Sequence, residues 1–179
     1  MDGSLPNRRG SGGAVEGVVA GVLASWVKAF SELRLQVVAE RLLPPSTAQK
    51  RQVGADPGGH PENMPPAVVV GRVAVALGHA GLTDEQRVRA QRVIHYSFGA
   101  GLGVAYTATA NRCKGVSRGA GALAGIAIYA VTHGSVLPAL GIQRPPWRLA
   151  PAAVAWEATS HLLFGMALEG VRRALGARR

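Results

Sequence analysis

The chain has 179 residues, enough for one ordinary domain, and a net charge of +10 carried by 20 lysines and arginines. It is 47% hydrophobic and 17% charged, with 24 glycines against three residues each of Phe, Tyr and Trp, a poor mixture for a soluble core but one suited to close helix packing in lipid. A single cysteine, Cys113, excludes an intramolecular disulfide and a cysteine-based zinc site.

The basic residues sit at the edges of apolar segments rather than in an arm or a groove. Arg8 and Arg9 precede the first segment, Arg112, Lys114 and Arg118 divide the second from the third, and Arg172, Arg173, Arg178 and Arg179 follow the last. These are positions where positive charge orients a membrane protein, so nucleic acid is not an expected partner and the lipid bilayer is.

In chain order, residues 1–13 form a polar, glycine-rich tail, and 14–179 a single transmembrane helical domain. Residues 14–30 are apolar apart from Glu16 and Lys28 near the ends, where lysine can snorkel to the headgroups. The segment reads as a retained signal-anchor helix. Residues 31–92 form a long connection. Pro44, Pro45, Pro57, Pro61, Pro65 and Pro66 forbid a continuous helix through 44–66, which is expected to be a surface loop. Residues 66–82 are apolar again but short and broken by Arg72 and His79, which favours an amphipathic interfacial or re-entrant segment over a fifth span.

Residues 93–110 form the second expected span, extending a helix that begins in water. Thr83 with Gln86 makes a capping-box pattern, and Asp84 and Glu85 fall in the first turn. Residues 119–140 carry no formal charge and are long enough to cross the roughly 30 Å hydrocarbon core. Residues 149–168 form the fourth span and contain Glu157 and His161; Trp26, Trp147 and Trp156 are candidates for the membrane interface. The fold class is therefore all-α, an integral membrane bundle of about four transmembrane helices with both termini cytoplasmic.

Each span carries a row at intervals of four: Gly13, Gly17, Gly21, Ser25 and Ala29; His95, Gly99, Gly103 and Thr107; Gly121, Gly125, Tyr129 and His133; Glu157, His161, Gly165, Glu169 and Arg173. Residues four apart share one side of a helix, so these rows are expected contact stripes, within the chain or between copies in a homo-oligomer or membrane complex. The ionisable members, His95, His133, Glu157 and His161, are the candidate functional residues, because an acid within the bilayer needs a partner or water. They form either a buried hydrogen-bonded lock or a proton or ion relay. A metal site built from His133, Glu157 and His161 is a further alternative, but the Glu157–His161 pair is a weak signal and the third ligand must be assumed, so no metal or cofactor is expected. Walker, HExxH and GxSxG patterns are missing, so no enzymatic reaction is expected.

The residues also resemble a family. GVVAGVLASWVKAFSE followed by LLPPS, then HGSVLPALGI with QRPPW, then WEATSHLLFGMALEGVRR, is similar to the YagU-like bacterial inner-membrane proteins in the order of Lys28, Glu32, Pro44, Pro45, His133, Pro138, Trp147, Glu157 and His161. His95, Tyr106 and Gly141 also match. The resemblance is weakest over 48–92. It implies a multi-pass inner-membrane protein without an assigned reaction, loosely linked to acid tolerance, and hence a contribution to envelope integrity or acid response. The alternative is a small proton- or ion-conducting protein using Glu157, His161 and His133.

Overall fold

The computed structural model describes residues 8–176, with side chains from residue 13 onward, and every regular element among them is helical. The expected tail therefore falls partly outside the described residues, as do Arg178 and Arg179; from Arg8 onward the chain is already helical.

The first helix, α1, runs Arg8–Leu42, far beyond the expected 14–30. Hydropathy marks where lipid contact ends, but it does not stop a helix; here the stop is Pro44–Pro45, which bars the helical conformation for the residue before it. The polar half of α1 is held by pairs one turn apart, Lys28 with Glu32 and Gln36 with Glu40. Lys28 does not snorkel: it is buried and its ammonium is bonded to Glu32.

Between residues 43 and 64 the chain makes one short helix, α2 (Thr47–Lys50), capped by Ser46 and Gln49, and a 3₁₀ turn at Pro61–Asn63. This segment is not a free surface loop. Asp56, buried, accepts hydrogen bonds from Gln36 Nε2 at 2.6 Å and Gly59 N–H at 2.9 Å and faces Lys50 Nζ at 3.6 Å. Burial opposes its charge, but the Gly59 and Gln36 bonds and Lys50 prevail and hold the carboxyl below its ordinary value. Ala55 packs with Ala150 and Ala153, and Met64 with Ala39, Ala152 and Trp156. Trp156 is thus in the core, 1% exposed, whereas Trp147 and Trp26 are 78% and 56% exposed.

Helix α3 (Pro65–Ala76) has 12 residues and reaches about 18 Å at 1.5 Å per residue, short of a hydrocarbon core. Its Arg72 donates to the carbonyls of Leu140, at 3.3 Å, and Gly141, at 2.8 Å, closing a helix end elsewhere in the chain. Helix α4 (Asp84–Ala110) starts in the Thr83–Gln86 capping box, with both reciprocal bonds formed.

The stretch expected to be one helix over 119–140 is interrupted. A 3₁₀ segment, Lys114–Gly121, contains a kink at Arg118–Ala120, and Gly121 enters α5 (Ala122–Val131) at φ +90°, which glycine alone adopts without strain. A π turn then covers Thr132–Val136, and α6 (Leu137–Ala139) follows with Pro138, whose ring nitrogen cannot donate to Gly134. Helix α7 spans Pro151–Gly176. By length and composition, two helical stretches among the described residues are able to cross a membrane, Gly13–Leu42 and Lys114–Ala139.

Helix α4 packs along α1, α1 along α7, and α7 along α5, while α4 and α5 make little direct contact. Two of the contacts are made by the small-residue rows. A Cβ on Gly21 would lie 2.0 Å from the Gly99 carbonyl oxygen, and one on Gly103 2.0 Å from that of Gly17. Likewise a Cβ on Gly125 would meet the His161 carbonyl at 2.1 Å, and one on Gly165 that of Gly121 at 2.3 Å. Row one therefore mates with row two and row three with row four, backbone against backbone. Gly13, in the same expected stripe, has nothing within 4 Å of a Cβ among the described residues.

Candidate polar site within the bundle

Glu157 and His161 lie one turn apart on the inner side of α7, 2% and 5% exposed. His161 Nδ1 donates to the Glu157 main-chain carbonyl at 2.9 Å, a bond available because a helix brings residue i+4 over the carbonyl of residue i. His133 comes from the π turn, a geometry that recurs where a helix re-aims a functional side chain. Its Nδ1 lies 2.8 Å from Gln143 Oε1 and 3.2 Å from Glu157 Oε1. The His133 and His161 rings meet edge to face at 5.0 Å between centroids, and Tyr129 packs on both, at 5.7 Å and 5.5 Å. One donor atom from each of His133, Glu157 and His161 lies within 4.8 Å of the other two.

These three residues sit at the wall of a cavity of about 390 Å³ between α4 and α5, floored by α1 and α7. Lys28 and Glu32 of α1 and His95 of α4 line the same space. His95 is set apart from the triad, with Nε2 donating to the Ser25 carbonyl across the α1–α4 contact at 3.1 Å. Phe98 and Val136 line the cavity and are 54% and 47% exposed, so it opens between α4 and the π turn. Met64, Pro65 and Pro66 close another side, which gives the proline-rich connection a place in the site.

Of the four expected polar residues, three come together and the fourth lines the same cavity. Lys28, Glu32 and Gln143 were not among them. Lys28, Glu32 and Gln36 continue the row Gly17, Gly21, Ser25 at helical spacing, and that continuation was the available signal. Gln143 carries none: it arrives from a loop, and Gly54, at φ +80°, lets the connection pass so close that a Cβ would lie 2.7 Å from its Nε2. Among the described residues the buried Tyr129 hydroxyl and Trp156 Nε1 have no hydrogen-bond partner, leaving polar capacity unspent around the triad.

Beyond the fourth expected span, Glu169 is 1% exposed and accepts bonds from Tyr106 at 2.9 Å, from Arg172 at 2.8 and 2.9 Å, and from Arg173. Burial alone would raise its carboxyl, but the two arginines and the tyrosine hold it at about 2. This cluster ties the ends of α4 and α7 together away from the cavity.

A family model described as a protein of unknown function, DUF1440, matches residues 34–170. No curated protein and no solved structure gives a significant match. The matched stretch contains His95, His133, Gln143, Glu157 and His161 and ends at the last turns of α7. With about three-quarters of its length and the whole triad inside that match, the chain belongs to the DUF1440 family of proteins of unknown function.

Proposed function

We propose that this chain is an integral membrane protein whose bundle of about four spanning helices surrounds a cavity that admits and passes a small cation. One observation carries the reading: six ionisable residues, Lys28, Glu32, His95, His133, Glu157 and His161, drawn from four parts of the chain, converge on one cavity instead of being dispersed or replaced by apolar packing. Ionisable groups at membrane depth are expensive, and where they face a cavity they mark a path for ions or protons. The lining offers two carboxyls, Glu32 and Glu157, and three imidazoles, groups that can coordinate or relay a cation.

The spanning reading is supported by the two long apolar helices and by apolar side chains turned outward from α1, α5 and α7, among them Val18, Val22, Leu123, Ile126 and Met166. On this reading residues 93–110 of α4 and 149–168, mostly in α7, are the second and fourth spans, and the basic flanks place the termini in the cytoplasm of a bacterial cell, in the inner membrane of the YagU-like proteins it resembles. Apart from Gly13, the glycines of the four rows are engaged in contacts within one chain and supply no argument for a homo-oligomer.

A second reading, a bundle that contributes to envelope integrity or acid response without transport, is favoured by the mated glycine rows. Flux into proteoliposomes, in mildly acidic and in neutral buffer, separates the two. Cation flux that disappears in a folded Glu157→Gln variant supports the path. Absence of flux, with that variant losing thermal stability, supports the lock. Release of the protein from membranes by alkaline carbonate removes both.

A further inference from the structure

We propose that His133, Glu157 and His161 form a binding site for one first-row divalent transition-metal ion of the zinc class. The assignment rests on the reading of the cavity as open to cations. It stands on geometry: one donor atom from each of the three residues lies within 4.8 Å of the others. Tetrahedral coordination at about 2.0–2.1 Å places donors on the order of 3.3 Å apart, so side-chain adjustments of about 1 Å close the site around an ion.

The donor chemistry selects the ion. Two imidazoles and one carboxylate suit zinc and its first-row neighbours, whereas magnesium and calcium take oxygen ligands. A carbonyl oxygen can only accept, so the bond from His161 Nδ1 to the Glu157 carbonyl keeps the proton on Nδ1 and the lone pair on Nε2, the form in which imidazole binds a metal. That bond is also the outer support that metal-ligating histidines characteristically have, and Gln143 holds the His133 ring in the same way at 2.8 Å. Three protein ligands facing a cavity leave a fourth position open, as in zinc sites that exchange a ligand rather than structural sites that are closed. A site of this kind suits an ion that enters and leaves. A hydrogen-bonded lock accounts for the His133–Glu157 contact, but not for a cavity beside it or for the unsatisfied Tyr129 hydroxyl.

The test is cobalt(II) titration of the full-length, chelator-treated protein in detergent, read by visible absorption and followed by displacement with zinc(II). The expected result is saturation at one equivalent, displacement by zinc, and a rise in Tm with either ion. His133→Ala and His161→Ala should each weaken binding by more than the roughly 10–100-fold that loss of an outer-shell partner costs, and Gln143→Ala by an amount within that range. His79→Ala, at an exposed position on the connection between α3 and α4, should leave binding unchanged. Folded native protein that shows no saturable binding overturns the site whatever the variants do, and so does binding that survives both histidine substitutions or is lost with His79. Saturable binding without flux in proteoliposomes leaves the site and removes transport; flux without saturable metal binding leaves the cation path and removes the site.

Discussion

Replacing Gly21 by alanine tests the proposition that backbone contact between mated rows holds α1 to α4. A Cβ at residue 21 would sit 2.0 Å from the Gly99 carbonyl oxygen and 2.7 Å from its carbon, where real Cβ contacts are not found below 3.0 Å. The obstacle is main chain, which cannot swing aside, so the two helices must part by about 1 Å at this point. Overpacking a tight contact costs about 1–3 kcal/mol, and a gap of 0.5–1 Å forfeits about a quarter to a half of the dispersion energy of the atoms along it. Alanine returns about 0.8–1.0 kcal/mol of helix propensity, so the net loss from the clash alone is about 0–2 kcal/mol, to which the forfeited dispersion adds. Gly101, on the same helix as Gly99 but with nothing within 4 Å of a Cβ, supplies the control. Gly101→Ala should be neutral or stabilising by up to about 1 kcal/mol. Reversible unfolding in mixed micelles titrated with SDS and followed by circular dichroism measures both. A Gly21→Ala variant as stable as Gly101→Ala would refute the packing argument.

The Glu169 cluster predicts an acid limb in stability. Because its carboxyl stands at about 2 when folded against an ordinary 4.5, its contribution is complete above about pH 4.5 and is lost as pH falls from there toward 2. Glu169→Gln should lower Tm near neutrality and flatten the Tm profile across that window; parallel profiles for the two proteins would sink the assignment. Asp56→Ala should release the connection from α1 by removing the bonds from Gln36 and Gly59, at about 1.5–3 kcal/mol for bonds to a charged group, and speed tryptic cleavage at Arg51. Cleavage at the native rate would mean that Ala55 and Met64 hold the segment without it.

The sequence alone determines what depends on neighbours in the chain. The Thr83–Gln86 box starts α4, Pro44 and Pro45 end α1, and the spacing of Gly17, Gly21, Gly99, Gly103, Gly125 and Gly165 marks the sides of helices that come close. The same spacing puts Glu157 and His161 on one side of α7. What it does not contain is the identity of the opposite face, because periodicity describes one helix and a contact requires two. Only the tertiary structure decides that row one meets row two and row three meets row four, that Gly13 meets nothing, and that Lys28 turns inward to Glu32. The lack of formal charge over 119–140 likewise could not reveal the breaks at Gly121 and at the π turn, since an uncharged run of that length reads as one continuous helix. That π turn aims His133 at Glu157, and the burial of Trp156 and Gln143 follows from a connection folding back over α1 and α7, a long-range event with no local signature.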